Sequence, residues 1–215
     1  MLMFKKLLRE LFPKKFKKFK NSHQYWNHRY DYGGNSGKGS RDSNASSKAT
    51  FFNQLIKQYG LKFAIELGSG DGENAYLYHI EEYIGYDISP TAVSVATKRN
   101  KTRNNVQFFH EKDLFFHEKS NIQSKYEPEE SIAISFDVLF HLVEDAVYKQ
   151  YLYDLTQGDH CYILIYSTDF DQITQEAHIK HRRFSEDVCS FGWSLVQRMK
   201  TDNSRKEFVL FRRNL

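Results

Sequence analysis

Short apolar runs alternate with segments of helical periodicity along most of this 215-residue chain. Five runs predict strands, at residues 62–67, 83–86, 106–109, 132–136 and 162–166. Four segments predict helices, at residues 47–59, 73–80, 90–100 and 144–157. Ser89 and Pro90 form a capping pair for the third helix, and Gly60 follows the first. The run at 162–166 is almost entirely apolar, which is typical of a strand covered on both faces.

The C-terminal region has a different pattern. Residues 193–199 and 207–212 flank the turn-forming run 201–204 and predict an antiparallel hairpin. With the five β/α alternations before it, this hairpin predicts an α/β fold with a doubly wound, Rossmann-like sheet of seven mostly parallel strands. We place this domain at residues 49–215. Ligands of such sheets bind beyond the carboxyl ends of the strands, so the loops there are expected to carry the chemistry.

Residues 1–20 are predicted to form a basic amphipathic tail. They hold eight Lys or Arg residues and one Glu, whereas the rest of the chain has 23 basic and 26 acidic residues. Apolar residues at helical spacing predict a short helix that Pro13 ends. The tail could anchor the chain peripherally to anionic lipid, bind a partner as a helix, or serve only as a solubilising tail.

Residues 21–48 are polar and rich in Gly and Ser, and an aromatic cluster stands at their start. We interpret this segment as a flap that closes over a bound ligand; a disordered linker is the alternative. Residues 33–40 do not form a phosphate loop, because no strand precedes them and Tyr32 stands where that motif needs glycine.

The strongest local signal is the run Glu66-Leu67-Gly68-Ser69-Gly70-Asp71-Gly72, which leaves a strand and enters a predicted helix. Its glycines allow the backbone to turn sharply and to approach a ligand closely. A dinucleotide site needs a third glycine where Glu73 stands, and the acids around the turn would repel a pyrophosphate. A cationic cofactor without phosphate suits such a turn.

Two further acids follow the next strands. Asp87 ends the second strand, where a carboxylate can accept hydrogen bonds from ribose hydroxyls; it could equally serve as an acid at a helix N-terminus. Asp113 follows the third strand. Together with Glu66, these residues place an acid at the carboxyl end of each of the first three strands. This arrangement predicts a nucleoside-binding site at that edge of the sheet.

The spacing Glu66-x-Gly68-x-Gly70-x-Gly72 resembles the signature of class I methyltransferases, which use S-adenosylmethionine. Four further blocks, at residues 22–40, 136–145, 162–167 and 178–184, resemble a group of small bacterial methyltransferases often associated with surface-glycan biosynthesis. The resemblance implies that Asp113 contacts the adenine amino group. The cofactor-binding residues are then expected to be Tyr25, Trp26, Arg29, Glu66, Gly68, Ser69, Gly70, Asp87, Ile88, Asp113, Leu114 and Phe136.

Asp137 and His141 follow the fourth strand and are the predicted catalytic residues. His141 is a natural general base for a hydroxyl acceptor, with Asp137 orienting it or gripping the acceptor; alternatively, His141 only bonds to the backbone. After the fifth strand, His178, His181 and Arg182 are predicted to bind an anionic acceptor, although a solvated surface would have the same composition. Neither His pair has metal-ligand spacing, so no metal is expected.

The sequence therefore predicts a methyltransferase that transfers a methyl group to the hydroxyl of a sugar or sugar-phosphate precursor of a surface polysaccharide. An RNA methyltransferase and a non-catalytic membrane partner in glycan assembly are the alternatives. The acidic balance of residues 21–215 argues against nucleic acid as a partner. We expect a cytoplasmic protein, held at the inner membrane if the tail binds lipid. Cys161 and Cys189 are expected to be reduced thiols.

Overall fold

The computed structural model describes residues 19–114, 125–201 and 205–214. Residues 1–18 of the predicted tail therefore lie outside the described residues. Within the described ranges, no helix is both long enough and apolar enough to cross a membrane.

A seven-stranded sheet forms the centre of the molecule. Its strands are β1 Phe63–Leu67, β2 Glu82–Asp87, β3 Val106–His110, β4 Ser131–Phe136, β5 Tyr162–Ser167, β8 Trp193–Lys200 and β9 Glu207–Arg213. They lie side by side in the order β3-β2-β1-β4-β5-β9-β8. The first five are parallel, and β9 and β8 continue the sheet as an antiparallel pair. This arrangement confirms the predicted fold class and the C-terminal hairpin.

Five helices of the described residues accompany the sheet: α1 Ser22–Asp31, α2 Asp42–Tyr59, α3 Pro90–Arg99, α4 Asp145–Gln157 and α5 Phe184–Ser190. A separate two-stranded hairpin is formed by β6 Gln172–Ile173 and β7 Lys180–His181. Leu164 of β5 packs in a buried cluster with α2 and α3, and Ile163 packs in a second cluster with α4 and α5. Because successive strand residues point to opposite faces, β5 must be apolar throughout.

The local signals for helix boundaries act as predicted in two places. The Ser89 hydroxyl accepts a hydrogen bond from the backbone N–H of Ala92, and Pro90 occupies the first turn of α3. Gly60 ends α2 in the left-handed conformation, with φ of +65°.

The helix predicted at residues 73–80 is wrong: only a short 3₁₀ turn, Ala75–Leu77, forms there. The guanidinium of Arg103 donates hydrogen bonds to the carbonyls of Ala75 at 2.6 Å, Tyr76 at 3.0 Å and Tyr78 at 2.8 Å. These three carbonyls are thus satisfied by a side chain from 25 or more residues downstream. They therefore do not need the backbone N–H donors of a helix. The local sequence pattern of residues 73–80 cannot reveal this contact with Arg103.

The segment predicted as a Gly/Ser-rich flap contains more regular structure than expected. Residues 22–31 form α1, and α2 begins at Asp42 rather than at residue 47. Ala45, Lys48 and Ala49 are buried, so the inward face of α2 extends through the polar-looking start of the helix.

Candidate active site

A cavity of about 600 Å³ opens at the carboxyl ends of β1, β2 and β4. This is within the range of about 300–1,000 Å³ that is usual for small-molecule sites. Its lining includes nine residues named from the sequence: Trp26, Gly68, Ser69, Gly70, Asp87, Ile88, Leu114, Phe136 and Asp137. The predicted site residues therefore meet at the edge where ligands of doubly wound sheets bind.

The glycine turn after β1 has a conformation that only glycine adopts readily. Gly68, Gly70 and Gly72 have φ of +78°, +59° and +71°. A Cβ on Gly68 would collide with Cγ2 of Val138, and one on Gly70 would collide with Ser36. The backbone N–H of Gly68 donates to the carbonyl of Tyr86 at 2.8 Å, which fixes the turn against β2.

Asp87, the last residue of β2, joins the turn to the next helix. Its carboxylate accepts hydrogen bonds from the backbone N–H of Gly70 at 2.9 Å and of Ser89 at 2.8 Å. Burial raises the pKa of Asp87 to about 6, even though these two hydrogen bonds favour the ionised form. Asp87 thus shapes the turn and also presents a carboxylate at the cavity wall.

The other acids of the turn do not face the cavity. Asp71 and Glu73 are ion-paired with Arg41 and Arg99, which neutralise them. The electrostatic argument made from these two acids is therefore wrong, because the sequence pattern did not reveal their arginine partners.

Glu66 is also outside the cavity lining, and its predicted contact with the cofactor stays a prediction. It is buried beneath the turn and accepts a hydrogen bond of 2.6 Å from the hydroxyl of Tyr83. Burial raises the pKa of Glu66 to about 7, although Tyr83 and the Lys48 ammonium favour its ionised form. Its contacts are those of a residue that supports the turn from below.

Two buried polar atoms of the cavity lining have no hydrogen-bond partner among the described residues: Oγ of Ser69 and Oδ1 of Asn74. An unpaired buried polar atom costs free energy, so this end of the cavity is built for a polar ligand group. Asn74 was not predicted, because a lone Asn after a glycine turn carries no distinctive sequence signal.

Helix α1 covers the cavity. Ser22, His23, Trp26 and Tyr30 share one helix face and line it. Ser22 holds one end of the helix, since its hydroxyl donates to the Glu144 carboxylate at 2.6 Å. The spacing of these four positions, i, i+1, i+4 and i+8, could have identified this face, but only Trp26 was predicted.

The remaining residues predicted from this segment point elsewhere. Tyr25 stacks on the ring of His178, with centroids 4.8 Å apart. Arg29 donates to the carbonyl of Asn35 at 2.6 Å and lies over the Trp26 ring. Neither lines the cavity, and both instead hold neighbouring parts of the cover in place.

After β3, Leu114 lines the cavity and Asp113 does not, although Glu111 and Lys112 beside it do. The contact between Asp113 and an adenine amino group therefore stays a prediction.

Of the two predicted catalytic residues, Asp137 lines the cavity and His141 does not. His141 packs against the rings of Trp26 and Phe140, and its Nδ1 lies 3.2 Å from the carbonyl oxygen of His178. Burial lowers the pKa of His141 to about 4, so it is neutral at pH 7 and a weaker base than a solvent-exposed histidine. Its geometry fits the alternative interpretation, a histidine bonded to the backbone.

The predicted anion-binding group does not line the cavity either. Arg182 donates to the carbonyls of Leu142 at 2.6 Å and Val143 at 2.8 Å, and it also pairs with Asp145. The contacts of the Arg182 guanidinium in this structure are thus structural ones, and its substrate-binding role stays a prediction. His181 bonds to Thr168 at 2.7 Å; the substrate roles of His178 and His181 stay predictions.

Replacing Arg182 with Ala should lower the free energy of unfolding by about 2 kcal/mol, because two partly buried backbone carbonyls lose a charged donor. Urea unfolding measures this change. The matched control is Arg183→Ala: the Arg183 side chain is 52% exposed, compared with 11% for Arg182, and its loss should leave the free energy of unfolding near the wild-type value. Equal stability of the two variants would show that the Arg182 contacts are not structural.

Within the described ranges, no group of three or more His, Cys, Asp or Glu residues is placed to hold a metal ion.

No protein-family profile matches the chain, and no curated protein matches it in sequence. Solved structures share its fold. The N-methyltransferase NodS from Bradyrhizobium japonicum WM9, in complex with S-adenosylhomocysteine, superposes with a TM-score of 0.70 at 13% identity, over 90% of this chain and 99% of NodS. Magnesium protoporphyrin IX methyltransferase (ChlM) from Synechocystis PCC 6803, with bound S-adenosylmethionine, superposes with a TM-score of 0.59 at 15% identity, over 98% of this chain and 97% of ChlM. The methyltransferase domain of bacterial CtHen1 superposes with a TM-score of 0.59 at 16% identity, over 78% of this chain and 97% of that domain. The chain therefore has the Rossmann-like fold of S-adenosylmethionine-dependent methyltransferases.

Proposed function

We propose that the protein is a methyltransferase that binds S-adenosylmethionine in this cavity. The observation that carries the proposal is the turn with left-handed glycines at Gly68 and Gly70, held by the buried carboxylate of Asp87 at the cavity wall. A dinucleotide is disfavoured for two reasons: Glu73 stands where the third glycine of that motif is needed, and the Gly70 N–H that would bind a pyrophosphate is already bonded to Asp87.

The residues present fit this cofactor. Asp87 would accept hydrogen bonds from ribose hydroxyls, and the apolar side chains of Ile88 and Leu114 would contact the adenine ring. The unpaired oxygens of Ser69 and Asn74 suit the polar amino-acid end. The cofactor, when bound, supplies an electrophilic methyl group on a sulfonium.

We further propose that the acceptor is a small hydroxyl compound, a sugar or sugar phosphate such as a precursor of a surface polysaccharide. Support comes from α1, which covers part of the cavity with Trp26, and from the resemblance of residues 22–40 and 136–145 to glycan-associated methyltransferases. A covered cavity of about 600 Å³ suits a small molecule rather than a polymer.

The test is methyl transfer from radiolabelled S-adenosylmethionine to a panel of neutral sugars, sugar phosphates and nucleotide sugars. We expect label in at least one sugar compound and release of S-adenosylhomocysteine. An RNA oligonucleotide and a catechol serve as controls for other acceptor classes. Labelling of a control compound alone would refute the sugar acceptor, while leaving the methyltransferase proposal in place.

A further inference from the structure

Lys48 occupies an unusual position in α2. Only 2% of its surface is exposed, and its neighbours on the inward helix face, Ala45, Ala49 and Phe52, are apolar and buried. Lysine is among the residues that are least often fully buried, because removing an ammonium group from water is costly without a partner. The ammonium group of a lysine buried in an apolar helix face must therefore be stabilised by hydrogen bonds or an ion pair.

The ammonium of Lys48 joins three parts of the structure. Its Nζ donates to Oδ2 of Asp137 at 2.8 Å and to Oγ of Ser40 at 3.3 Å. It also lies 5.9 Å from the ring centroid of Phe136 and 5.8 Å from that of Tyr166, distances that allow cation–π attraction. Lys48 therefore links α2 to the segment before it and to the end of β4.

The backbone of Asp137 is held in a conformation that non-glycine residues rarely adopt, with φ of +62°. Its N–H donates to the carbonyl of Tyr166 at 2.9 Å. On the other side, a Cβ on Gly39 would lie 2.8 Å from Oδ2 of Asp137. Backbone strain of this kind tends to occur at functional sites, and here it is found at a residue of the cavity lining.

The charges around Asp137 decide what this carboxylate can do. Burial raises the pKa of Asp137, but Lys48 and Lys206 outweigh burial and hold it below its ordinary value. The second lysine contacts Oδ1 at 2.5 Å. Glu66 from β1, Tyr78 and His141 also interact electrostatically with Asp137. An ionised carboxylate with two ammonium partners accepts hydrogen bonds well but takes up a proton poorly.

We propose that Lys48 is a positioning residue: it fixes the Asp137 carboxylate at the cavity wall, where Asp137 accepts a hydrogen bond from the methyl acceptor and orients its nucleophilic atom. The inference rests on the proposed function, and it gives Asp137 an orienting role instead of a proton-accepting one. Since methyl transfer needs in-line geometry, a misplacement of about 1 Å can cost about 100-fold in rate.

The test compares Lys48→Met and Lys48→Arg with Lys57→Met, which removes an exposed lysine from the same helix. ¹³C NMR titration of the Asp137 carboxyl, assigned with Asp137→Asn, needs no acceptor. In Lys48→Met the pKa of Asp137 should rise by at least about one unit; Lys48→Arg and Lys57→Met should leave it near the wild-type value. With an acceptor from the sugar panel, kcat should fall about 100-fold in Lys48→Met and recover in part in Lys48→Arg.

The KM for S-adenosylmethionine and the affinity for S-adenosylhomocysteine should change less than about threefold in all three lysine variants, because Lys48 does not line the cavity. An unchanged Asp137 pKa in Lys48→Met would overturn the proposal, even if the variant melted at a lower temperature. If Lys48→Met does not fold, Lys48→Gln, which also removes the ammonium, provides the same titration. Failure of the wild-type protein to bind S-adenosylhomocysteine would instead count against the proposed function.

Discussion

Gly68→Val should weaken binding of S-adenosylhomocysteine at least 100-fold. The new side chain would collide with Cγ2 of Val138 at the cavity wall and would occupy space that the ligand needs. Valine also disfavours the φ of +78° at this position, which costs about 1–2 kcal/mol. Titration calorimetry measures the affinity, and thermal unfolding shows whether the variant is folded. Gly68→Ala, a smaller change, should give an intermediate loss.

The control is Gly192→Val. Gly192 has a comparable φ of +87°, but nothing lies within 4 Å of a Cβ built there, and it is outside the cavity lining. This variant should lose stability through backbone strain and keep its ligand affinity. If Gly68→Val bound with wild-type affinity, the glycine turn would not be the ligand site.

Asp87→Ala should weaken the same binding about 100-fold, because two charge-assisted hydrogen bonds to ribose are lost and the turn loses its contact at Gly70. The control, Glu82→Gln, changes an acid at the opposite end of β2, where it bonds to Lys125 and Tyr126, and should leave affinity unchanged.

The pH dependence of binding tests the same carboxylate. The pKa of Asp87 is about 6 in the ligand-free protein, so the ionised form that accepts hydrogen bonds dominates above pH 7 and is lost as the pH falls through 6. Affinity should therefore be about tenfold lower at pH 5 than at pH 7.5. Asp87→Asn should bind weakly at both values. A flat profile in the wild-type protein would mean that Asp87 does not contact the ligand.

Local sequence patterns were enough to predict the sheet and the glycine turn. Apolar runs and capping residues act over a few positions, so β1 to β5, the cap at Ser89 and the stop at Gly60 could be located from the chain alone. The place of Asp87 at the cavity wall could be predicted because this residue ends a strand.

Residues whose roles depend on distant partners could not be predicted in this way. Lys48 and Asp137 are 89 positions apart, and nothing in either neighbourhood indicates their pairing. In the same way, Arg41 forms an ion pair with Asp71 and neutralises it. Arg103 donates to backbone carbonyls in the segment that was predicted to be a helix. The positive charge of Arg182 suggested an anion site, but its guanidinium donates hydrogen bonds to backbone carbonyls. Tertiary contacts of this kind decide which charges are available to a ligand.

Calorimetric titration of the wild-type protein with S-adenosylhomocysteine and, separately, with NADH tests the central claim most directly. The arrangement of Gly68, Gly70 and Asp87 predicts saturable binding of S-adenosylhomocysteine at one site and no heat with NADH. Saturable binding of NADH without binding of S-adenosylhomocysteine would contradict it.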